Sequence, residues 1–140
     1  MPVTIVGLQQ LPLCHQIRRE VFVEGQKVDE ILEIDGLDPE CTHFLAIEDG
    51  VPAGTARLRR TADDHAKIER VAVLEAFRGK GLGHQLMDAL EAEAQRLGYA
   101  EAYLSAQVQV IPFYEARGWQ SYDPQFMEAG ILHQKMKKKL

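Results

Sequence analysis

Residues 68–90 read IERVAVLEAFRGKGLGHQLMDAL and hold the densest chemistry in the chain. Gly79, Gly81 and Gly83 alternate with Lys80 and Leu82, directly after Arg78. Glycines so spaced let a backbone turn sharply and approach a ligand without side chains in the way. A helix pattern starts at Leu82. The first amides of a helix have no partner inside it and carry partial positive charge, which makes a phosphate site. Arg78 and Lys80 add full charges there. Two familiar phosphate loops do not fit. A P-loop needs GxxxxGK[ST], but Lys80 is followed by Gly81. A Rossmann fingerprint needs a third glycine where His84 or Leu86 stands. Glu69, on the strand before the turn, is a candidate base: with strict alternation it shares a face with Val71 and Val73. The competing reading is a glutamate in a salt bridge.

The elements that would position these groups follow from hydrophobic period. Thr4–Val6 reads as a short strand. Leu11, Cys14, Ile17, Val21 and Phe22 predict an amphipathic helix over residues 10–23. Residues 25–39 are acidic and broken by Gly36 and Pro39, so a loop or short helix is expected. Thr42–Glu48 and Ala53–Arg60 form a hairpin around Asp49-Gly50, with Val51-Pro52 lengthening the turn. Lys67–Val73 is a third strand. Leu82–Leu97 is the clearest helix, with Leu82, Leu86, Leu90 and Leu97 on one stripe, Glu91, Glu93 and Arg96 facing away, and Gly98 as its stop. Ala100–Ser105 is a strand and Ile111–Arg117 a short helix. Trp119–Tyr122 and Ile131–Lys138 close the sheet. Leu132 and Met136 should point inward, and Lys135, Lys137 and Lys139 outward on an edge strand, where lysine blunts aggregation. The order predicts one α+β domain over residues 1–140: a mixed, mostly antiparallel sheet with helices on both faces.

The bulk properties narrow the partners. A chain of 140 residues suits one domain. A net charge of −5 argues against a nucleic-acid partner and mildly favours cationic ones. The plainer reading of that charge is solubility. No apolar run reaches membrane length, and the first residues lack the basic start of a signal peptide. The expected location is the cytoplasm. Cys14 and Cys41 form no CxxC pair, so neither a disulfide framework nor a zinc site is indicated, and no metal is expected.

Arg78-Gly79-Lys80-Gly81-Leu82-Gly83 fits R-x-x-G-x-G after the strand VAV, and Phe113-Tyr114-Glu115-Ala116-Arg117-Gly118-Trp119 follows about 30 residues later. The pair resembles the core of the GNAT N-acetyltransferase superfamily. Upstream, Arg18, Val21-Phe22, the run Glu33, Asp35, Asp38, and His43 are similar to a subgroup of small bacterial GNAT proteins. The match spans nearly the whole chain. It departs at Gly25, where an acidic residue is expected. If that acid helps to bind acceptor in the subgroup, the acceptor here differs.

The resemblance implies acetyl-coenzyme A as donor and a small-molecule or peptide amine as acceptor. It implies that the strand before the turn is splayed from a parallel neighbour, with the pantetheine arm on the backbone of Val71, Ala72 and Val73. The pyrophosphate would rest on the amides of Arg78, Gly79, Lys80, Gly81, Leu82 and Gly83. Tyr114 corresponds to the acid near the sulfur, although it could be only a core aromatic. Gln107 stands where relatives place a coenzyme-contacting Asn. A homodimer is possible on the same ground. His43 reads more readily as a packed residue than as a base. His84 would touch phosphate or solvent, and Ser105 and Cys41 lack the setting of a nucleophile. Two other readings stay open: a coenzyme A-binding sensor without turnover, and an acyltransferase like the acyl-homoserine lactone synthases.

Overall fold

The computed structural model describes residues 3–140. Eight strands build one sheet: β1 (Val3–Val6), β2 (Thr42–Glu48), β3 (Val51–Arg60), β4 (Ala66–Val73), β5 (Glu101–Gln107), β6 (Gln120–Ser121), β7 (Phe126–Glu128) and β8 (Ile131–Lys139). Their order is β1-β2-β3-β4-β5-β8-β6, with β7 also on β8. Among the described residues only β4 and β5 run parallel. Helix α3 (Leu82–Arg96) joins those two strands and buries Leu82, Leu86, Met87, Leu90 and Ala94 on one face of the sheet. Helix α1 (Leu11–Arg18) buries Cys14 and Ile17 on the other. The fold is therefore the mixed α+β sheet with helices on both faces that the patterning predicts.

Helix α1 continues through Arg19–Glu24 as a wider, π-helical stretch. Its end is marked by Gly25 N–H donating to Glu20 O at 2.9 Å and Val28 N–H to Phe22 O at 2.9 Å. This wide turn explains Gly25. A Cβ there would stand 2.6 Å from the Val21 carbonyl oxygen, so any acidic side chain would force the turn to shift. Beyond it, Asp29 caps the one-turn helix α2 (Glu30–Glu33) by accepting from Ile31 N–H at 3.0 Å.

Several expectations change. The β2–β3 hairpin turns on Asp49-Gly50 alone, both with positive φ, and Glu48 pairs directly with Val51. Pro52 does not lengthen the turn; it lies at a bulge, where a residue without N–H does least harm. Strand β7 lies where the sequence pattern shows no strand. It forms a hairpin with β8 through Ala129-Gly130, a pair without the Asn or Asp that usually marks such turns. That hairpin makes β8 an interior strand, with β5 on one side and β6 and β7 on the other, so its lysines do not guard an edge. Leu132, Leu97 and Glu93 also differ: the two leucines are 38% and 50% exposed, while Glu93 is buried. Leu97 stops the helix stripe short because it is the residue before the glycine cap, where Tyr99 N–H closes on Ala94 O at 3.1 Å.

The most unusual packing lies between α1 and the sheet. Arg18 and Arg57 are fully buried. Arg57 donates to Asp35 at 2.5 and 3.0 Å, to Asp38 at 2.9 Å and to Glu69 at 3.1 Å. Arg18 donates to the same Asp38 carboxylate at 2.8 Å and to Glu33 at 2.8 Å. Burial alone would raise the Asp38 pKa, but the hydrogen bonds from Arg18, His15 and Arg57 outweigh it and hold the carboxyl well below the usual range. The Arg57 hydrogen bond likewise lowers Asp35 to about 2. His43 is part of this structure too. Its Nε2 lies 2.8 Å from the Asp38 carbonyl oxygen, and burial lowers its pKa.

Asp38→Asn leaves two buried arginines short of charge and should cost about 3–5 kcal/mol, read from urea unfolding. The carboxylates with depressed pKa values give a direction in pH. Their stabilisation is complete above the unfolded pKa of about 4 and is lost as pH falls through the folded values. The wild-type melting temperature should therefore fall steeply below pH 4, with a smaller decline beginning below about pH 6.5, where the buried His43 must stay neutral while the unfolded ring gains a proton. A flat profile to pH 3 would refute the linkage.

Candidate active site

The site begins where two strands part. Strands β4 and β5 pair only through Ala66–Ala102, Lys67–Tyr103 and Ile68–Leu104. Beyond Ile68, β4 keeps its partner on the β3 side, where Ala72 meets Thr55 and Val73 meets Gly54, and has none on the β5 side. A cleft opens there, flanked by Val71–Val73 and by residues 105–107.

A bulge lies at the parting. Between the pairs Arg57–Glu69 and Thr55–Ala72 the register shifts, and Arg70 takes a left-handed φ of 57°. The bulge breaks the alternation assumed for Glu69. Ile68, Val71 and Val73 pack on the α3 side, whereas Ala72 packs on the α1 side. Glu69, paired with Arg57, lies on the α1 side too. It does not share a face with Val71 and Val73 as strict alternation implies. Its carboxylate accepts from Arg59 at 2.7 Å and from Arg57, with Lys67 Nζ at 3.6 Å. Burial raises the Glu69 pKa, but those cations outweigh it, and the net shift is downward. Glu69 is thus a carboxylate in a salt bridge whose affinity for a proton is reduced.

Above the cleft, the chain turns through Glu75–Phe77 into the glycine segment. Gly81, the residue before α3, has φ +83°, which a side chain with a Cβ reaches only with strain. No side chain caps the helix, and its first internal bond comes from Gln85 N–H to Gly81 O at 3.1 Å. The amides of Leu82, Gly83 and His84 precede that bond. Arg78 and Lys80 are exposed. Arg78 Nε turns back to Val73 O at 3.0 Å, and Lys80 Nζ lies 5.5 Å from the Phe77 ring centre. Both cations flank the turn as expected.

Tyr114, on α4 (Ile111–Glu115), lies on the α3 side of the sheet. Its ring meets Phe113 and Trp119 edge-on, with centres 5.1 and 6.2 Å away. Among the described residues its hydroxyl makes no hydrogen bond. Burial raises its pKa to about 12, against a small opposing pull from Arg117. The residues after it act as an anchor. Arg117 donates to Asp88 at 2.7 Å and Glu91 at 3.2 Å, and Trp119 Nε1 reaches Glu91 at 3.2 Å. These bonds fasten α4 to α3 and so fix Tyr114 relative to the glycine turn. His84 joins the anchor, 3.1 Å from Arg117 and with its ring tilted against Phe113 at 4.6 Å.

Gln107 reaches across to the segment after α1. Its amide exchanges hydrogen bonds with Gln26 at 2.8 and 3.1 Å and accepts one from Gln109 at 2.6 Å. Gln26 and Gln109 carried no signal of their own in the sequence. Two hollows of the surface, near Pro12, His15 and Ile34 and near Val3, Phe44 and Arg96, lie away from the cleft. Among the described residues no His, Cys, Asp and Glu cluster could hold a metal, and no helix is long and apolar enough to cross a membrane.

A parted parallel strand pair, an uncapped helix behind a glycine turn, and a buried tyrosine fastened to that helix define an acyltransferase scaffold. The comparisons agree. The acetyltransferase (GNAT) domain family matches residues 11–140, and the chain belongs to that family. It is 37% identical over 131 residues to the uncharacterized N-acetyltransferase YjcF of Bacillus subtilis, covering 93% of each chain. An acyl-CoA N-acyltransferase from Pseudomonas aeruginosa superposes with a TM-score of 0.87 at 32% identity, covering 99% of both chains. Escherichia coli ElaA gives 0.84 at 28% identity, covering 98% of both. More distant members of the fold have been solved with coenzyme A or acetyl-coenzyme A bound. The chain is an acyltransferase of this family.

The anchor is testable by itself. Arg117→Met removes the hydrogen bonds to Asp88 and Glu91 and should cost about 1–3 kcal/mol in urea unfolding. Unchanged stability would show that α4 is held by its aromatic packing alone.

Proposed function

We propose that residues 1–140 act as one N-acetyltransferase domain that moves the acetyl group of acetyl-coenzyme A to a primary amine. The parting of β4 and β5 directly below the glycine turn carries this reading. It leaves an extended strand with free backbone groups beside a helix start that favours anions, and a pantetheine diphosphate needs both. The fit extends to individual residues. The amides from Arg78 to Gly83 take the pyrophosphate, with Arg78 and Lys80 beside it. The backbone of Val71, Ala72 and Val73 takes the arm, and the Gln107 amide offers a further donor or acceptor.

Acetyl-coenzyme A supplies the activated thioester. The amine nitrogen attacks its carbonyl carbon, the C–S bond breaks, the nitrogen gives up a proton and the thiolate takes one. The Tyr114 hydroxyl is protonated throughout the neutral range. A thiol with the ordinary reference pKa of about 8.5 lies some three units below it, so complete transfer from the phenol is uphill. Its contribution is a hydrogen bond that strengthens as charge gathers on sulfur, with the proton following from solvent. Glu69 is a weak base for the same kind of reason, since its cations hold the proton off. Through a water it still orients the amine and accepts its proton late, when the nitrogen has become acidic.

Coenzyme A at 100 times its dissociation constant should stabilise the chain by about 2.7 kcal/mol, seen as a higher melting temperature. Gly81→Val should abolish that rise, because its side chain stands where the pyrophosphate approaches. A folded variant that keeps full affinity would exclude this turn as the site.

Tyr114→Phe keeps the ring and its packing. Turnover should drop by about 10²–10⁴-fold, with coenzyme affinity little changed. Turnover within a few-fold of wild type would leave Tyr114 as a packing residue and assign catalysis to positioning.

A further inference from the structure

Helix α1 packs on β2, β3 and β4, while α3 and α4 lie on the opposite face. The α1-side face of β5 and β8 is left open. Tyr103, Ser105 and Lys137 are only part-buried there and Lys135 is exposed. Strand register puts Arg59 beside Lys67, Lys67 beside Tyr103 and Tyr103 beside Lys137, one row across four strands. The aromatic members support one another. His65 stacks on Tyr103 at 4.6 Å, Tyr122 meets it edge-on at 6.3 Å, and Lys137 Nζ lies 5.2 Å from the Tyr122 ring centre.

This face is positive although the chain is negative. Arg18, Arg57 and Arg70 meet Glu33, Asp35 and Asp38 below it. Glu69 is then shared among Arg57, Arg59 and Lys67, at 3.1, 2.7 and 3.6 Å. Lys137 has no ion-pair partner among the described residues. Two further carboxylates reach the row's edge: Glu101, opposite Lys139 at the end of β5, accepts from the Tyr103 hydroxyl at 3.1 Å, and Asp123 is 3.9 Å from Lys135, which leaves the lysine amines rather than the phenol to meet an anion.

We propose that the acceptor is a primary amine that carries an anionic group, a carboxylate or a phosphate. The anion sits on the row formed by Lys67, Tyr103 and Lys137, and the amine points to the parting of β4 and β5. The step from that row to the level of Glu69 and Ser105 is two residues, about 7 Å at ~3.3 Å per residue. An amine and an anion three to five bonds apart span it. The proposal rests on amine acetylation as the reaction, and it names the acceptor class.

The test compares matched amines with acetyl-coenzyme A. 4-Aminobutyrate is set against 4-aminobutyramide, and O-phosphoethanolamine against ethanolamine. The anionic partner of at least one pair should have kcat/KM higher by about tenfold or more, and which pair responds separates carboxylate from phosphate. Lys137→Gln should raise KM for the anionic amine by about tenfold with kcat within about twofold, leave the neutral amine unchanged, and be rescued in part by Lys137→Arg. Equal use of both partners, preference for the neutral one, or an equal loss for both in Lys137→Gln overturns the proposal. If no amine is acetylated, the transfer reading fails. 4-Acetamidobutyrate titrated into the coenzyme A complex then decides the face separately: perturbation of the Tyr103 ring resonances, lost in Lys137→Gln, supports the anion site, and no perturbation overturns it. Self-association of the chain that buries Tyr103 and is abolished by Lys137→Glu also overturns it.

Discussion

The buried guanidinium of Arg57 is the constraint on which the site depends. A charge at the centre of a sheet is costly unless it is fully paired. Asp35, Asp38 and Glu69 pair it, and each comes from a different place: the segment after α2, the turn before β2, and β4. Charge neutralisation therefore requires that segment to lie on the sheet. Arg18 ties α1 to the same Asp38, so the helix, the acidic segment and two strands assemble around one cluster. Removing Asp38 takes a partner from both buried arginines at once, which is why the arrangement admits few alternatives.

The cluster also fixes the bulge in β4. Arg70 takes a left-handed backbone conformation that costs a residue with a Cβ about 1–2 kcal/mol. It is compensated by what the side chain reaches: the carbonyl oxygens of Leu32 and Glu33 at 3.3 and 3.1 Å, and the Glu33 carboxylate at 2.6 Å. The bulge rotates β4 by one position, which places Glu69 with the ion pairs and turns Val71 and Val73 toward α3. It coincides with the end of pairing to β5. The ion cluster on one face and the cleft between β4 and β5 are thus mechanically one feature.

The legible and illegible parts of the sequence divide along the same line. Arg78 to Gly83 could be read because the turn is local: the glycines, the cations and the helix start are all within a few residues. The Glu33, Asp35 and Asp38 run was visible as a pattern, but nothing in it names Arg57 as its partner across the sheet. Alternation puts Glu69 on the wrong face because it is a property of a regular strand, and a bulge held by a distant Arg70 contact leaves no local mark. The lysines of β8 looked like edge guards because strand order is not written in strand composition. Gly25 was noticed as a departure, and only the wide turn after α1 shows why a side chain does not fit.

Net charge illustrates the limit of reading from totals. A value of −5 describes the field far from the protein, which sets solubility and the encounter with ions. Beyond roughly 8 Å at physiological salt that field is screened, and a bound molecule responds to the groups within that radius. Beside the open face of β5 and β8, on the same side of the sheet, most carboxylates are consumed by buried arginines, Lys67 shares Glu69 with them, and the amine of Lys137 remains without an ion partner. The chain's surplus of acid lies elsewhere, on the exposed sides of its helices and turns. The same burial that makes Arg57 demand three carboxylates withdraws them from solvent, and it is this withdrawal that gives the face its sign.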